Sequence, residues 1–333
     1  MTGDVSIVIP TYQRRARLER LLNGLATQSH RLDRIEVIVV DDGSSDGTFD
    51  WLRVATPPFA MRVFAQQNAG PGAARNRGIA EATAPLVLFL DDDVVPDRDL
   101  VAAHVATHER IADAVVIGPM LPPASTWRRP AWIRWEEERV LAQYRAMREG
   151  VYPCTPRQFF TANASVPRAR LVASGGFDAR FARAEDVELG YRLKDSGMQF
   201  AFAPEARVWH FPDRSFAGWR RVPYQYGRAD VAMSRIKGHP SLDLAYREFH
   251  RRRALNRLLP QLCVGRPLLC GPIVAGLRAA VRAADAVGVN SVAIASLSAL
   301  FNILYWQGVA DELGDRAEVW RSVESRAAAA VRA

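Results

Sequence analysis

Apolar positions in the first part of this chain switch between two spacings. Val5-Ser6-Ile7-Val8-Ile9 reads as a strand, and Leu18, Leu21, Leu22 and Leu25 then recur on one helical face, predicting a helix over Arg14–Gln28. Glu36–Val40 reads as a second strand. The turn Gly43-Ser44-Ser45-Asp46-Gly47 leads into a helix over Thr48–Ala55, and Arg62–Ala65, Gly72–Ala82 and Leu86–Leu90 read as strand, helix and strand. Strands that are apolar almost throughout, alternating with helices, predict a mostly parallel sheet covered on both faces. In open sheets of this kind ligands sit beyond the C-terminal strand ends. Polar clusters fall there: Pro10-Thr11-Tyr12, Asp41-Asp42 and Asp91-Asp92-Asp93.

Farther along the pattern changes. Between Gly118 and Pro156 it weakens, and Trp127, Trp132 and Trp135 lie among Pro122, Pro123 and Pro130. Such aromatics suit a ring-stacking surface, a membrane interface or a cap packed on the sheet. Ala286–Ala310 carries no charged residue over 25 positions, long enough to span a bilayer. It nevertheless contains Asn290, Ser291, Ser296, Ser298, Asn302 and Gln307, while Ile294, Leu297, Leu300, Phe301 and Leu304 form one stripe, which favours a packed or in-plane helix. Leu258–Ala280 is interrupted by Pro260, Pro267 and Pro272, which are expected to break a straight helix. Arg316–Ala333, rich in Ala and Arg, reads as a helix or a frayed end.

Composition narrows the class. With 333 residues and 49% apolar content, the chain holds one large domain, or a domain with an appendage, and is globular. Cys154, Cys263 and Cys270 are too few and too scattered for a disulfide framework or a zinc site, which points to a reducing compartment. Met1-Thr2-Gly3-Asp4 runs straight into the first strand, so no cleavable signal peptide is expected and this end is expected to face the cytoplasm. The net charge of +8 is lopsided: residues 1–215 carry 27 Lys/Arg against 27 Asp/Glu, and residues 216–333 carry 17 against 9. Most of the excess lies between Arg220 and Arg257, and the stretch from Leu258 to Ala310 that follows is apolar. That order suits an anionic membrane surface, and it equally suits a basic helix packed beside a helical hairpin. Nucleic acid is not expected as a partner, because the excess is confined to the tail and no recognised module accompanies it.

The acidic tips carry the candidate chemistry. Three carboxylates after the apolar run Val87–Leu90 raise one another's pKa unless something positive neutralises them. A divalent cation carrying a phosphorylated ligand would do so, and a solvated turn would also accommodate them. Asp41 or Asp42 suits a hydrogen bond from a base or a sugar hydroxyl. Gly70-Pro71-Gly72-Ala73-Ala74-Arg75-Asn76 opens a helix where a ligand can come close and Arg75 can meet a phosphate. The sequence has no GK[ST] ending there, which excludes a Walker loop, and no GxGxxG follows the first strand, which counts against a dinucleotide Rossmann domain. Glu185-Asp186 opens a helical pattern, where acids also satisfy the macrodipole. His210 closes the run Ala206–Trp209 at a strand end, a place for a ligand or for a structural histidine. His104 and His108, at helical spacing, read as a solvated helix face without the acids a zinc site would need.

Five stretches, in order, carry a family resemblance. Val8-Ile9-Pro10-Thr11-Tyr12, Val39 through Thr48, Ala74 through Ile79, Phe89 through Asp93, and Gly175-Gly176-Phe177-Asp178 through Leu189 resemble the signature blocks of glycosyltransferase family 2. The resemblance covers residues 5–212. It implies a GT-A fold, an α/β catalytic domain over 1–215 with a donor half near 1–118 and an acceptor half near 119–215, followed by a basic and apolar helical extension over 216–333. It also implies a nucleotide-diphosphosugar donor, UDP by default, a divalent cation (Mg²⁺ or Mn²⁺) and inversion at the anomeric carbon. On its terms Pro10, Thr11, Tyr12 and Arg14 line the nucleotide site, Asp42 reads the base edge with Asp41 in support, and Gly70 and Arg75 lie near the pyrophosphate. Asp91 and Asp92 would face the ribose or sugar. Asp93 would bind the metal, with Asp91 and His210 as further ligands. Asp186, beside Glu185, would be the general base, and Asn163, Gly176 and Trp209 would border the donor or acceptor sugar. The tryptophan segment then reads as an acceptor-side flap. The acceptor would be a glycan, lipid-linked or small molecule, and the enzyme cytoplasmic or peripheral at the inner face of the membrane through residues 216–310. A nucleotidyltransferase should show a Gly-rich, Lys/Arg-bearing loop after the first strand, which Pro10–Arg15 lacks, and a non-catalytic sugar-binding module would not need Asp186.

Overall fold

The computed structural model describes residues 4–124 and 129–332, so Trp127 lies outside the described residues. The chain begins β1 (Val5–Thr11), α1 (Arg15–Leu25), β2 (Ile35–Asp41), α2 (Thr48–Val54), β3 (Ala60–Ala65), α3 (Pro71–Glu81) and β4 (Leu86–Leu90). It continues through β5 (Val94–Pro96), α4 (Leu100–Arg110), β6 (Ala114–Ile117), β7 (Met120–Leu121), α5 (Ala131–Arg148), β8 (Asn163–Pro167), α6 (Arg168–Ala173), α7 (Glu185–Asp195), β9 (Gln199–Phe202) and β10 (Val208–His210). Six helices close it: α8 (Phe216–Lys237), α9 (Ser241–Phe249), α10 (Ala254–Cys263), α11 (Pro267–Ala286), α12 (Asn290–Leu313) and α13 (Arg316–Arg332).

The main sheet has the order β3-β2-β1-β4-β8-β6-β9. Its first four strands are mutually parallel, as the alternation of strand and helix requires, and β8 runs antiparallel between β4 and β6. Every residue of β1 and β4 is buried, which explains why these strands are apolar throughout rather than alternating. Val5, Ile7 and Leu88 pack with α1 on one face, and Val8, Phe89 and Ile79 form the core of the other. A second sheet, β5-β10-β7, sets His210 opposite Val94, next to the acidic tip of β4.

The described residues fall into two compact units. One holds those up to 124 with 139–212, and the other holds 129–138 with 213–332. The helical unit is built on α12 and α8. Gly227 and Gly308 let their backbones touch: a Cβ on Gly227 would lie 2.1 Å from the Tyr305 oxygen, and one on Gly308 2.1 Å from the Tyr224 oxygen. Trp306 fills the centre with Tyr246, Phe249 and Val309, and the Tyr305 hydroxyl donates to buried Asp230 at 2.6 Å.

Three expectations need correction. Trp132 and Trp135 are not on a flap. Trp135 is buried 5.6 Å from the Trp219 ring, and Trp132 Nε1 donates to the Arg214 oxygen at 2.8 Å, so this face of α5 packs into the helical unit. Nor do His104 and His108 form a solvated face. His104 is wholly buried, its Nδ1 2.8 Å from Ser165 Oγ and its Nε2 2.9 Å from Asn163 Oδ1, and His108 Nε2 meets the same Ser165 Oγ at 2.8 Å. Burial pushes both imidazoles down to about 4, so they are neutral near pH 7. Finally, α11 is one helix of 20 residues. The chain breaks before it, near Gly265, and Pro267 opens it at the first helical position, where a missing N–H is no loss. By length and composition α11 and α12 could each cross a membrane, but α12 is a core helix with Leu297, Leu300, Ile303, Trp306 and Val309 buried.

Candidate active site

The crevice starts where two neighbours of β1 part company. The β1–β2 ladder continues to Thr11–Asp41, whereas the β1–β4 ladder stops at Val8–Phe89. Strand order reverses at this point, the usual place for a ligand in an open α/β sheet. Pro10 lies beyond the last β4 pair, so its missing N–H leaves no gap on that side.

The three aspartates after β4 divide their partners. Asp92 is buried and turned into the protein, where it accepts 2.9 Å bonds from Thr11 Oγ1 and Arg14 Nη1. Burial pushes its carboxyl above the usual range, although Arg14 pulls the other way. Asp92 thus clamps the tip of β1 to the tip of β4. Asp91 accepts from Arg75 Nη2 at 2.7 Å. Asp93 faces His210 Nε2 at 3.6 Å, Arg14 Nη1 at 3.4 Å and Arg17 Nη1 at 3.8 Å. Arg17 was not singled out from sequence, although its spacing of three from Arg14 puts it on the same side of the following helix.

At the tip of β2, Asp42 uses both oxygens on one loop. Oδ1 accepts from Gln66 Nε2 at 2.8 Å and the Ala69 N–H at 2.9 Å, and Oδ2 from the Gly70 N–H at 2.8 Å. Asp41 differs. Its Oδ1 accepts from the Ser44 N–H at 2.8 Å, while Oδ2 is buried with no hydrogen-bond partner among the described residues. An orphaned buried carboxylate oxygen is costly unless a ligand supplies a donor. The carboxylate oxygen left without a partner therefore belongs to Asp41, and Asp42 shapes the loop beside it.

Opposite the acids, α7 begins with Glu185 and Asp186, where the helix dipole favours negative charge. Arg75, buried on α3, reaches both sides: it donates to Asp91 at 2.7 Å and to Glu185 Oε1 at 3.0 Å. Asp186 is pushed up to about 7, first by burial and then by the charge of Glu185, against the pull of Arg75. Among the described residues, Gln13 and Ala184 alone adopt positive φ without being glycine. One follows Tyr12 and the other precedes Glu185, so local strain is held at both edges of the crevice.

The remaining expected residues separate. Tyr12 is 47% exposed at the β1 tip, and Trp209 lies partly buried on β10. Gly176 is a packing position: its φ is +69°, its oxygen accepts from Arg192, and a Cβ would meet Asn76 Oδ1 at 2.3 Å. Asn163 does not face the crevice. Its amide is spent on His104 and on the Pro119 and Ala206 oxygens, deep in the core. No group of three His, Cys, Asp or Glu among the described residues suits a metal by itself. Asp93 and His210 supply an oxygen and a nitrogen donor side by side, a pair that fits a divalent cation whose other positions come from a bound phosphate.

The sequence matches the family described as Glycosyl transferase family 2 over residues 6–162 and that described as Glycosyl transferase family group 2 over residues 86–307. A Validoxylamine A glucosyltransferase from Streptomyces hygroscopicus is 34% identical over 227 residues, covering 61% of this chain and 54% of its own. The chain spans about half the length of the curated relatives it matches. Among solved structures, the mannosyltransferase PcManGT from Pyrobaculum calidifontis, in complex with GDP-Man and Mn²⁺, superposes with a TM-score of 0.63 at 22% identity, covering 95% of this chain and 88% of that one. S. aureus TarS in complex with UDP-GlcNAc gives 0.56 at 17% identity, covering 95% and 93%. At these identities the likeness is one of fold.

Proposed function

We propose, because this chain belongs to glycosyltransferase family 2 and has the GT-A fold, that it moves a hexose from a nucleotide diphosphosugar to a hydroxyl of a glycan, lipid-linked or small-molecule acceptor, with inversion. The observation that carries the reading is Arg75, whose buried guanidinium joins Asp91 on the donor side to Glu185 beside Asp186.

In this reading Asp41 Oδ2 accepts the hydrogen bond that a base N–H or ribose hydroxyl offers, within a wall built by Asp42 and the 66–70 loop. Tyr12, exposed at the strand tip, supplies a ring face to the nucleoside. Arg14 and Arg17 stand beside Asp93 as cations for the diphosphate. Asp93 and His210 hold a divalent cation, Mg²⁺ or Mn²⁺, which when bound stabilises the charge on the departing diphosphate. The P. calidifontis complex with Mn²⁺ supports that assignment by analogy of fold. Asp186 takes the proton of the attacking hydroxyl. A carboxyl poised near 7 is ionised often enough at neutral pH, yet basic enough, to do so. Glu185, hydrogen-bonded to Arg75 at 3.0 Å, lies beside Asp186 and pushes its carboxyl up. The enzyme works in the cytoplasm, peripheral at the inner face of the membrane.

Calorimetric titration with UDP-, GDP- and dTDP-sugars, with Mg²⁺ and with EDTA, tests the donor half. One nucleotide class is expected to bind, more weakly in EDTA. Asp41→Asn should weaken it by roughly tenfold, the worth of one hydrogen bond to a charged group. If no nucleotide sugar binds under either condition, the reading fails.

A further inference from the structure

Five exposed leucines of the helical unit lie on α10 and the start of α11. Leu255, Leu258 and Leu262 stand on one stripe of α10, exposed by 45%, 57% and 46%, and Leu268 and Leu269 open α11 at 90% and 51%. A soluble surface rarely leaves so much contiguous apolar area without a use. Arginines frame the strip: Arg251 and Arg253 precede it, Arg257 lies within its first turn, Arg266 sits in the turn, and Arg278 and Arg282 follow. Over 251–292 seven arginines face a single acid, Asp285, which Arg134 already neutralises at 2.8 Å. Arg251, Arg253, Arg257 and Arg266 form no ion pair among the described residues.

We infer that α10 and the first half of α11 form an in-plane docking element for an anionic membrane surface. The leucines enter the boundary between headgroups and acyl chains, and the arginines meet lipid phosphates. The placement of its charges argues against a span by α11. The uncharged run between Arg266 and Arg278, residues 267–277, makes a helix of about 16 Å, roughly half the hydrocarbon core. Charge argues against a second copy of this chain, since two such faces would bring arginines against arginines. The inference deepens the peripheral-membrane part of the proposed function and is independent of its chemistry.

Sedimentation of the full chain with phosphatidylcholine vesicles, with and without phosphatidylglycerol, tests it. Binding is expected with phosphatidylglycerol and should weaken as salt screens the arginines. Leu258→Ser with Leu268→Ser should lower partitioning by roughly tenfold or more. Arg253→Glu with Arg266→Glu should abolish the preference for the anionic lipid. All four positions lie outside the active site, so donor titration on the same preparations checks that the variants are folded. Equal affinity for both vesicles, no binding to either, or unchanged binding by the leucine variant overturns the inference. A vesicle-free dimer abolished by the leucine variant overturns it too. Failure on vesicles with donor binding intact leaves the transferase reading standing, and the reverse result leaves the docking element standing.

Discussion

Replacing Asp186 by asparagine is expected to lower turnover by roughly 10²- to 10⁴-fold, the usual worth of a positioned general base, while donor affinity changes little. Asparagine has the same shape and removes one negative charge from a crowded acidic cluster, so the fold should tolerate it. The wild-type rate should rise with pH through a limb near 7, because Asp186 works only when ionised and its carboxyl is pushed up to about 7. That limb should vanish in the variant. Glu185→Gln is the control. Glu185 is tied to Arg75 at 3.0 Å and does not act as the base, so its loss should change the position of the limb more than its height. Steady-state rates from pH 5 to 9 would show both effects. Equal losses for the two variants would show that Asp186 has no special role.

Arg75→Met is expected to be the most destabilising single change in the site. Removing one partner of a buried ion pair costs about 3–5 kcal/mol, and the low end applies here because Asp91 keeps a third of its exposure. The loss should depend on pH. Without Arg75, Asp91, Glu185 and Asp186 are left close together, and carboxyls raised above their unfolded pKa destabilise the fold as pH rises and they ionise. Denaturant unfolding should therefore show the largest deficit above neutral pH and a smaller one in mild acid. Activity should report the same electrostatics: the acid limb of the rate profile should move to higher pH. Arg75→Lys should restore its position, since charge is what matters there, but only part of the stability, because an ammonium cannot bridge two carboxylates as a guanidinium does. An unmoved limb in the methionine variant would disprove the coupling of Arg75 to Asp186.

The parallel half of the sheet was legible because burial on both faces makes strands apolar throughout, as in β1 and β4. The short strands were not. β5, β7 and β10 span two or three residues each, too few to show any period, yet they bring His210 to Asp93. Residue types at the strand tips announced an acidic site, but their division did not. That Asp92 clamps Thr11, and that Asp41 rather than Asp42 keeps an open oxygen, depends on tertiary partners such as the 66–70 loop. His104 and His108 misled for a similar reason. A buried histidine satisfied by Ser165 and Asn163 has the same helical spacing as an exposed one. Trp132 and Trp135 lie among prolines, yet their partners, Arg214, Trp219 and Ser298, are far away in sequence.

In the proposed reaction the nucleotide sugar is displaced at its anomeric carbon, with Asp186 as the base across the sugar from the diphosphate. Proton NMR of the first sugar product formed from an α-linked donor with Mg²⁺ tests this most directly. A β-configured product is expected from wild type and almost none from Asp186→Asn. An α-configured product, or no cleavage of a donor that demonstrably binds, would contradict it.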